Sequence, residues 1–273
     1  MGALNLEGIN MKSFAKYFFD KLSPWFLPIG LILIWQISSS LGTLSNQILP
    51  SPIDVLKAAI TQTQSGVLLE NLKISFLRAI TGFVIGGTLG LLFGIINGSS
   101  KSAQKYLDTT IQMLRNIPNL AMIPLVIIWF GVGEEGKIFL VAISVFFPIY
   151  INTYHGIKSV DPKFIEMGKI YGLSKIKLFY KVIFLGALPS ILIGIRYALG
   201  VMWLTLIVAE TVAASSGIGY MSMNAREFMQ LDVVVLSILL YSLLGKIADS
   251  LAKLLEYRLL SWNPIYRRHG KEG

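Results

Sequence analysis

Charged residues inside long apolar segments are the residues of this sequence whose types and spacing could do chemistry. Arg196, Trp203 and Glu210 recur at intervals of seven in one such segment, which puts them near one face of a helix. Arg196 and Glu210 would lie about 21 Å apart on that helix, too far to pair with each other. Two roles fit this face: lining a path through a membrane, or making a structural contact between helices or copies of the chain.

Three further polar residues lie in or beside apolar segments. Arg115 and Asn116 stand just before Pro118, a residue type that interrupts helices. Either Arg115 reaches the lipid headgroups with its long side chain, or Pro118 opens the helix and Arg115 faces an inner cavity. Arg78, near the start of another apolar segment, is expected to reach the headgroups.

Several kinds of chemistry are excluded or disfavoured. The chain has no cysteine, which excludes disulfides and thiolate metal sites, and its two histidines, His155 and His269, lie far apart. No GxxxxGK[ST] phosphate loop is present, and no cluster of acid, base and nucleophile stands out. We therefore expect no enzyme activity, no metal site and no bound cofactor in this chain.

Composition indicates an all-α integral membrane protein. Apolar residues make up 54% of the chain and charged residues only 14%, against roughly 25% in soluble proteins. Segments of about 20 apolar residues, the length that crosses a bilayer, predict about six transmembrane helices. They cover about 24–42, 72–97, 107–132, 137–157, 182–213 and 233–255.

Glycine and proline predict how these spans are shaped. Gly82, Gly86, Gly90 and Gly94 recur every four residues, which favours the close approach of two helices; a substrate path lined by bare backbone is the alternative. Pro118 and Pro124 should kink or break the third span, and Pro189 should bend the fifth near its start. Residues 214–231 are expected to form an outer loop.

The net charge of +9 could indicate nucleic acid, but the position of the charges favours membrane topology instead. Lysine and arginine gather before the first span, after the second, at 158–181 and in the tail. Since basic residues stay on the cytoplasmic side, both termini are expected to be cytoplasmic. This predicts a cytoplasmic segment 1–23, a membrane domain 24–266 and a cytoplasmic tail 267–273.

The loop at about 158–181 has the pattern of two short helices. Asp161 and Pro162 are typical of a helix start, and Gly172 of a helix end. A second helix is predicted from about 175 to 182. Such short helices need a partner for their apolar face.

This loop resembles the EAA loop of permeases from ATP-binding-cassette importers. Glu166 and Gly172 stand at the family spacing, while Met167 and Gly168 replace the usual two alanines and the closing proline is absent. Stretches such as QILPSP, IQMLRNIPNLAMIPLVIIWFG and GALPSILIGIRYALGVMWLTLIVAET extend the resemblance over most of the chain. They look like the permeases of the subfamily that imports aliphatic sulfonates, taurine and nitrate.

The resemblance implies a type I (MetI-like) permease fold and a set of partners. These are a second copy of the chain, two cytoplasmic ATPase subunits that bind ATP and Mg²⁺, an extracytoplasmic binding protein and the lipid bilayer of a bacterial inner membrane. The ATPase-coupling residues would be Glu166, Gly168, Gly172, Leu173 and Ser174. Candidate binding-protein contacts are Asn224, Arg226 and Glu227, for which a simple loop cap is the alternative.

The implied function is ATP-driven alternating access that imports a small organic anion, with aliphatic sulfonates favoured. Taurine or nitrate is the alternative within this class. An ion-coupled secondary transporter is the alternative from another class, but neither an internal repeat nor a carboxylate in the middle of a span supports it.

Overall fold

The computed structural model describes residues 11–45 and 48–263, and this part of the chain folds into helices joined by short connections. The α-helices are α1 Met11–Ser40, α2 Pro52–Gln64, α3 Val67–Ser99, α4 Lys101–Arg115, α5 Ile123–Phe130, α6 Glu134–Lys158, α7 Pro162–Ile170, α8 Lys175–Leu178, α9 Leu185–Ala213, α10 Ile218–Glu227 and α11 Leu231–Leu259. A 3₁₀ turn, Asn119–Met122, precedes α5, and a π-helical turn, Phe179–Phe184, joins α8 to α9.

Four of these helical segments are long and apolar enough to cross a membrane on their own. They are Val67–Ser99, Glu134–Lys158, Lys175–Val212 and Leu231–Leu259. The pair Lys101–Arg115 and Asn119–Phe130 adds a fifth span if it is taken as one, although its halves meet at 82°. In α1 the apolar part, Phe26–Ser40, is shorter. The all-α membrane class is confirmed, with four or five of the six predicted spans.

The third predicted span is broken where the prolines predicted a break. The α4 helix ends at Arg115, and Pro118 caps the following 3₁₀ turn in an extended conformation. Pro124 lies in the first turn of α5, where its missing N–H costs no hydrogen bond. The chain therefore changes direction at Asn116–Pro118 instead of continuing as one helix.

A glycine seam holds α3 against α6. A Cβ atom at Gly86 would overlap the backbone carbonyl of Ala142, and one at Gly90 would lie 2.6 Å from the carbonyl oxygen of Phe146. Only glycine allows this approach, so the seam serves helix packing within one chain. The two helices carry the core together with α9 and α11, around Val141, Val145, Met202 and Leu206.

Three boundaries differ from the predictions. Residues 214–231 are not a loop, because α10 occupies most of them. The fifth span runs as one helical segment from Lys175, and α9 continues through Pro189. The α1 helix begins at Met11, so part of the predicted segment 1–23 is helical, whereas residues 1–10 and the predicted tail 267–273 lie outside the described residues.

Candidate functional site

The loop before α9 forms the predicted pair of short helices, α7 and α8. Asp161 caps α7 by accepting a hydrogen bond of 2.9 Å from the backbone N–H of Lys163, and Pro162 opens the helix. Ser174 caps α8 in the same way, with its hydroxyl 3.5 Å from the N–H of Lys177. Asp161 thus fixes where α7 begins, and Ser174 fixes where α8 begins.

Gly168 and Gly172 shape the turn between α7 and α8 for different reasons. Gly172 has a φ of +74°, with open space around its Cβ direction, so backbone conformation and not packing requires glycine there. The N–H groups of Gly172 and Leu173 donate to the carbonyls of Lys169 and Gly168, which closes the end of α7 in a Schellman motif. At Gly168 a Cβ would lie 2.5 Å from the Leu178 side chain, so this glycine lets α8 pack closely on α7.

The outer surface of α7 and α8 is apolar and exposed. Ile170 is 84% exposed and Tyr171 78%, and Phe164, Met167 and Ile176 are also exposed. Glu166, the residue at the motif's acidic position, is exposed on the same helix. Since α7 lies outside the spans and α8 lies at the very start of one, this exposed apolar surface is typical of a protein contact site.

Arg196 lies on an open face of α9 beside α11. Its Nε donates to Asp249 at 2.7 Å, and its Nη1 lies 3.7 Å from Glu256. Lys253 also contacts Asp249, at 3.1 Å. The Arg196 side chain remains 38% exposed, and with Tyr197, Gly200 and Leu204 it lines a groove of about 510 Å³.

Trp203 and Glu210 do not share this open face with Arg196. Trp203 is 5% exposed and packs edge-on against Tyr241. The Glu210 side chain is fully buried. The spacing of seven residues placed these three side chains on one face, but the structure separates them, because α11 covers Trp203 and Glu210.

Glu210 instead belongs to a buried polar network at one end of the spans, which the sequence reasoning missed. Arg78 of α3 donates to Glu210 at 2.7 Å and forms a bidentate pair with Glu134 of α6. Tyr241 of α11 donates to Glu210 at 2.9 Å, and Ser75 lies 2.8 Å from both carboxylate oxygens. The network ties four helices together.

The expectation that Arg78 reaches the headgroups is wrong, since its side chain is 2% exposed. A charge buried among helices is held by partners that compensate it. The signal in the sequence was the helical spacing of Asn71, Ser75 and Arg78 within an apolar segment. Asn71 and Ser75 accept hydrogen bonds from the N–H groups of Gly217 and Ile218, so the network also fixes the connection between α9 and α10.

The remaining predicted site residues lie at exposed helix ends or faces. Arg115 ends α4 and Asn116 caps it, both exposed at the break before Pro118. Asn224, Arg226 and Glu227 are exposed on α10, a helix and not the predicted loop.

Beside α10, a groove of about 820 Å³ lies between α2 and the start of α11. Asp54, Lys57, Met229 and Asp232 are among the residues that line it. The Ser51 hydroxyl donates to Asp54 at 2.6 Å, and with Lys57 it holds the pKa of that carboxyl below its usual value. Asp54 is thus a fixed negative charge on this surface. Among the described residues, no group of three or more His, Cys, Asp or Glu side chains could hold a metal ion.

The region that contains the exposed α7–α8 pair and most of the spans matches a known protein family. Residues 86–261, well over half of the chain, match the family of binding-protein-dependent transport system inner membrane components. The chain belongs to this family. It is a multi-pass inner-membrane permease of an ATP-binding-cassette importer, a transport subunit and not an enzyme, and it works with a separate ATPase.

The curated relatives of this permease include proteins named for the transport of aliphatic sulfonates and of taurine. It is 58% identical to a protein of Escherichia coli (strain K12) named as the aliphatic sulfonates transport permease SsuC, over 92% of this chain and 95% of the relative. A Bacillus subtilis (strain 168) protein of the same name is 45% identical over 88% of this chain and 87% of its own. The taurine permease TauC of E. coli (strain K12) is 34% identical over 85% and 86%.

Solved structures agree on the fold. An amino acid ATP-binding-cassette transporter matches with a TM-score of 0.61 at 17% identity, over 73% of this permease and 97% of that chain. An inward-facing structure of the MetNI methionine transporter matches with a TM-score of 0.50 at 19% identity, over 70% and 94%. At these identities the likeness supports the predicted MetI-like fold and nothing finer.

Proposed function

We propose that this permease forms the translocation path for aliphatic sulfonates. The observation that carries the proposal is the 58% identity to the relative named for that substrate, which extends over 92% of this chain. Both relatives with this name are more similar to the chain than the taurine permease is. An alkanesulfonate is a fixed monovalent anion with a short apolar tail, so its path needs positive charge and apolar surface together.

Arg196 is our candidate for the anion contact. It is the arginine that the groove on α9 exposes, and apolar side chains such as Ile193 and Leu204 line the same groove. A charge within a span faces a bundle interior or a water-filled cavity and avoids lipid. This face of α9 is therefore proposed to meet a second copy of the chain, so that the grooves of two copies enclose the path. Asp249 would hold Arg196 until an anion competes for it.

In this proposal Trp203 and Glu210 do not line the path, and they affect it only through the position of α9. Both are buried where α9 packs on α11, so they position the helix that carries Arg196. Arg115 and Asn116, at the break between α4 and α5, would lie at the inner mouth of the path. There Arg115 would add positive charge that attracts the anion.

The α7–α8 pair is proposed to dock on the ATPase. Its most exposed apolar side chains, Ile170 and Tyr171, supply the contact, and Glu166 on α7 adds a charge. Gly168, Gly172, Leu173 and Ser174 would keep the two helices in a fixed relation. Because α8 runs through the π-helical turn into α9, a shift of the docked pair would move the helix that lines the path. ATP binding and hydrolysis in two ATPase subunits would then drive alternating access.

The side of the membrane opposite to the α7–α8 pair is proposed to receive an extracytoplasmic binding protein. Asn224, Arg226 and Glu227 present both signs of charge on α10, which would steer docking and fix its orientation. This assignment follows from cytoplasmic termini, which the distribution of basic residues favours.

Uptake into vesicles tests the substrate assignment. The vesicles would contain this permease with the ATPase and binding protein that work with it, and labelled alkanesulfonate would be added with taurine or nitrate as competitor. We expect uptake that requires ATP and that unlabelled alkanesulfonate blocks. Stronger competition by taurine would overturn the sulfonate assignment in favour of the substrate of the 34% identical relative. Uptake that persists without the ATPase would contradict the coupling mechanism.

A further inference from the structure

An apolar groove lies between α7, the start of α9 and the segment that follows α11. It has a volume of about 370 Å³, within the range of small-molecule sites. Its lining includes Val160, Phe164, Val182 and Leu185, with Lys181 and Trp262 as the polar-tipped side chains. The groove therefore combines an apolar trough with a single cation.

The groove lies at the boundary between the spans and the loops. Val182 and Leu185 belong to a segment that crosses the membrane, whereas Phe164 belongs to α7 outside the spans. Trp262 follows the end of α11 and is 54% exposed. Tryptophan is enriched where hydrocarbon meets headgroups, so Trp262 fits a groove at this boundary.

Lys181 supplies the charge that selects the occupant. Its side chain is exposed, and among the described residues no carboxylate pairs with it. Lys177 lies one helical turn before Lys181, and Lys158 lies two residues before Val160 of the groove. Glu166 on α7 is the opposing charge on the adjoining helix. We propose that this groove binds an anionic phospholipid, with an acyl chain against Val182 and Leu185 and the phosphate at Lys181.

A lipid fits this groove better than a peptide segment does. A peptide brings backbone N–H groups that need acceptors, and burying them without partners is costly. The side chains that line the groove offer a lysine and an indole as polar groups, and both of these donate. A phosphate accepts from both donors, and an acyl chain needs no hydrogen bonds.

A bound lipid would link the α7 helix to the start of α9. Phe164 and Met167 on α7 would contact the same molecule as Val182 and Leu185. The anionic lipid content of the membrane would thereby influence how rigidly the α7–α8 pair follows α9. This site is independent of which substrate is carried.

Quenching of Trp262 by brominated lipids tests the proposal. The permease, assembled with its ATPase, would be placed in nanodiscs that contain brominated phosphatidylglycerol or brominated phosphatidylcholine in a fixed lipid background. The signal of a Trp262→Phe variant is subtracted, which isolates this tryptophan from the other four. We expect half-maximal quenching at a several-fold lower fraction of the anionic lipid than of the zwitterionic one.

Two matched lysine variants separate the groove from general surface charge. Lys181→Gln should weaken the apparent affinity for the anionic lipid about fivefold, the effect of one lysine beside an anionic headgroup. Lys169→Gln removes another exposed charge, on α7 and outside the groove, and should leave quenching unchanged, whereas Lys181→Arg should retain the preference. Equal quenching by both lipids, or equal losses in the two Gln variants, would overturn the proposal. So would absence of quenching by either lipid, which would indicate that protein fills the groove.

Discussion

At position 172 the backbone torsion, and not the space around the residue, decides which side chain fits. Gly172 has a φ of +74°, and apart from its own and the adjacent residues nothing lies within 4 Å of a Cβ placed on it. A residue other than glycine in this conformation costs about 1–2 kcal/mol, except that asparagine adopts it more readily. The turn between α7 and α8 is therefore sensitive to residue type although it has room.

Replacement of Gly172 by leucine should uncouple ATP hydrolysis from transport, because the strained turn would misalign α7 with α8. We expect transport to fall at least about tenfold, the effect of 1.4 kcal/mol, with normal membrane insertion. Gly172→Asn is the matched control and should retain most activity. The measurement is ATPase rate and uptake in the same vesicles; an active Gly172→Leu variant would contradict the docking role.

Uptake should depend on the positive charge at position 196 more than on the shape of the side chain there. Arg196→Gln removes the cation from the groove, and we expect uptake to fall by about tenfold or more while the protein remains folded. Arg196→Lys keeps the charge and should recover part of the uptake, and Asp249→Asn should leave an arginine that is freer to meet the anion. If Arg196→Gln transports normally, the anion contact lies elsewhere.

Arg78 should matter for stability far more than its partner Glu134. Arg78→Met leaves Glu210 buried without its counter-charge, which should cost about 3–5 kcal/mol in the free energy of unfolding. The Glu134 side chain is half exposed, and Arg78 keeps Glu210 as its counter-charge when Glu134 is neutralised. Glu134→Gln should therefore cost about 1 kcal/mol or less. Thermal unfolding of the purified variants in detergent measures both; equal losses would contradict this account.

At the scale of elements, the contact between α3 and α6 depends on individual glycines of the seam. Gly86→Ala would push a methyl group into the backbone of α6, which cannot move away alone, and we expect a loss of about 1–3 kcal/mol. In Gly87→Ala, one residue further, the nearest atom to the new methyl group is the flexible end of Ile149 at 3.2 Å, so the loss should be much milder. Melting temperatures of the two variants test the seam, and indistinguishable values would argue against it.

The α7–α8 pair is continuous with α9, the helix that it is proposed to move. α8 leads through the π-helical turn, Phe179–Phe184, into α9 with no loop between them. A π turn carries weaker backbone hydrogen bonding than an α-helix and is frequent at functional sites. Motion of the docked pair would therefore reach α9 directly, with the turn as the point where the helix can adjust.

At the scale of the whole molecule, the open face of α9 is proposed to meet another copy. Gly200 lies on this face, and apart from adjacent residues and the backbone of its own helix nothing lies within 4 Å of an added Cβ. Gly200→Trp should therefore leave the melting temperature of the separated chain nearly unchanged, while uptake and the yield of dimer fall several-fold. Leu89→Trp, on the exposed side of α3, is the control and should affect neither. A fully active Gly200→Trp variant would place the contact on another face.

The sequence by itself determined the class of this protein and the positions where several of its helices begin, break or end. Apolar length predicted the spans, Pro118 predicted the break before α5, and Asp161, Pro162 and Gly172 predicted the ends of α7. These features follow from local rules, namely hydrocarbon thickness, missing N–H groups and torsion preferences, so neighbouring residues suffice to predict them.

Only the tertiary structure decided which charges meet. Arg78, Glu134 and Glu210 come from three helices that are far apart in the chain. The spacing of seven residues in the sequence had grouped Glu210 with Arg196 instead. One helix face can be open at Arg196 and covered by α11 at Glu210, because coverage depends on where neighbouring helices cross. Since the cost of a buried charge depends on the partner that reaches it, burial and pairing are properties of the packed bundle and cannot be obtained from a single segment.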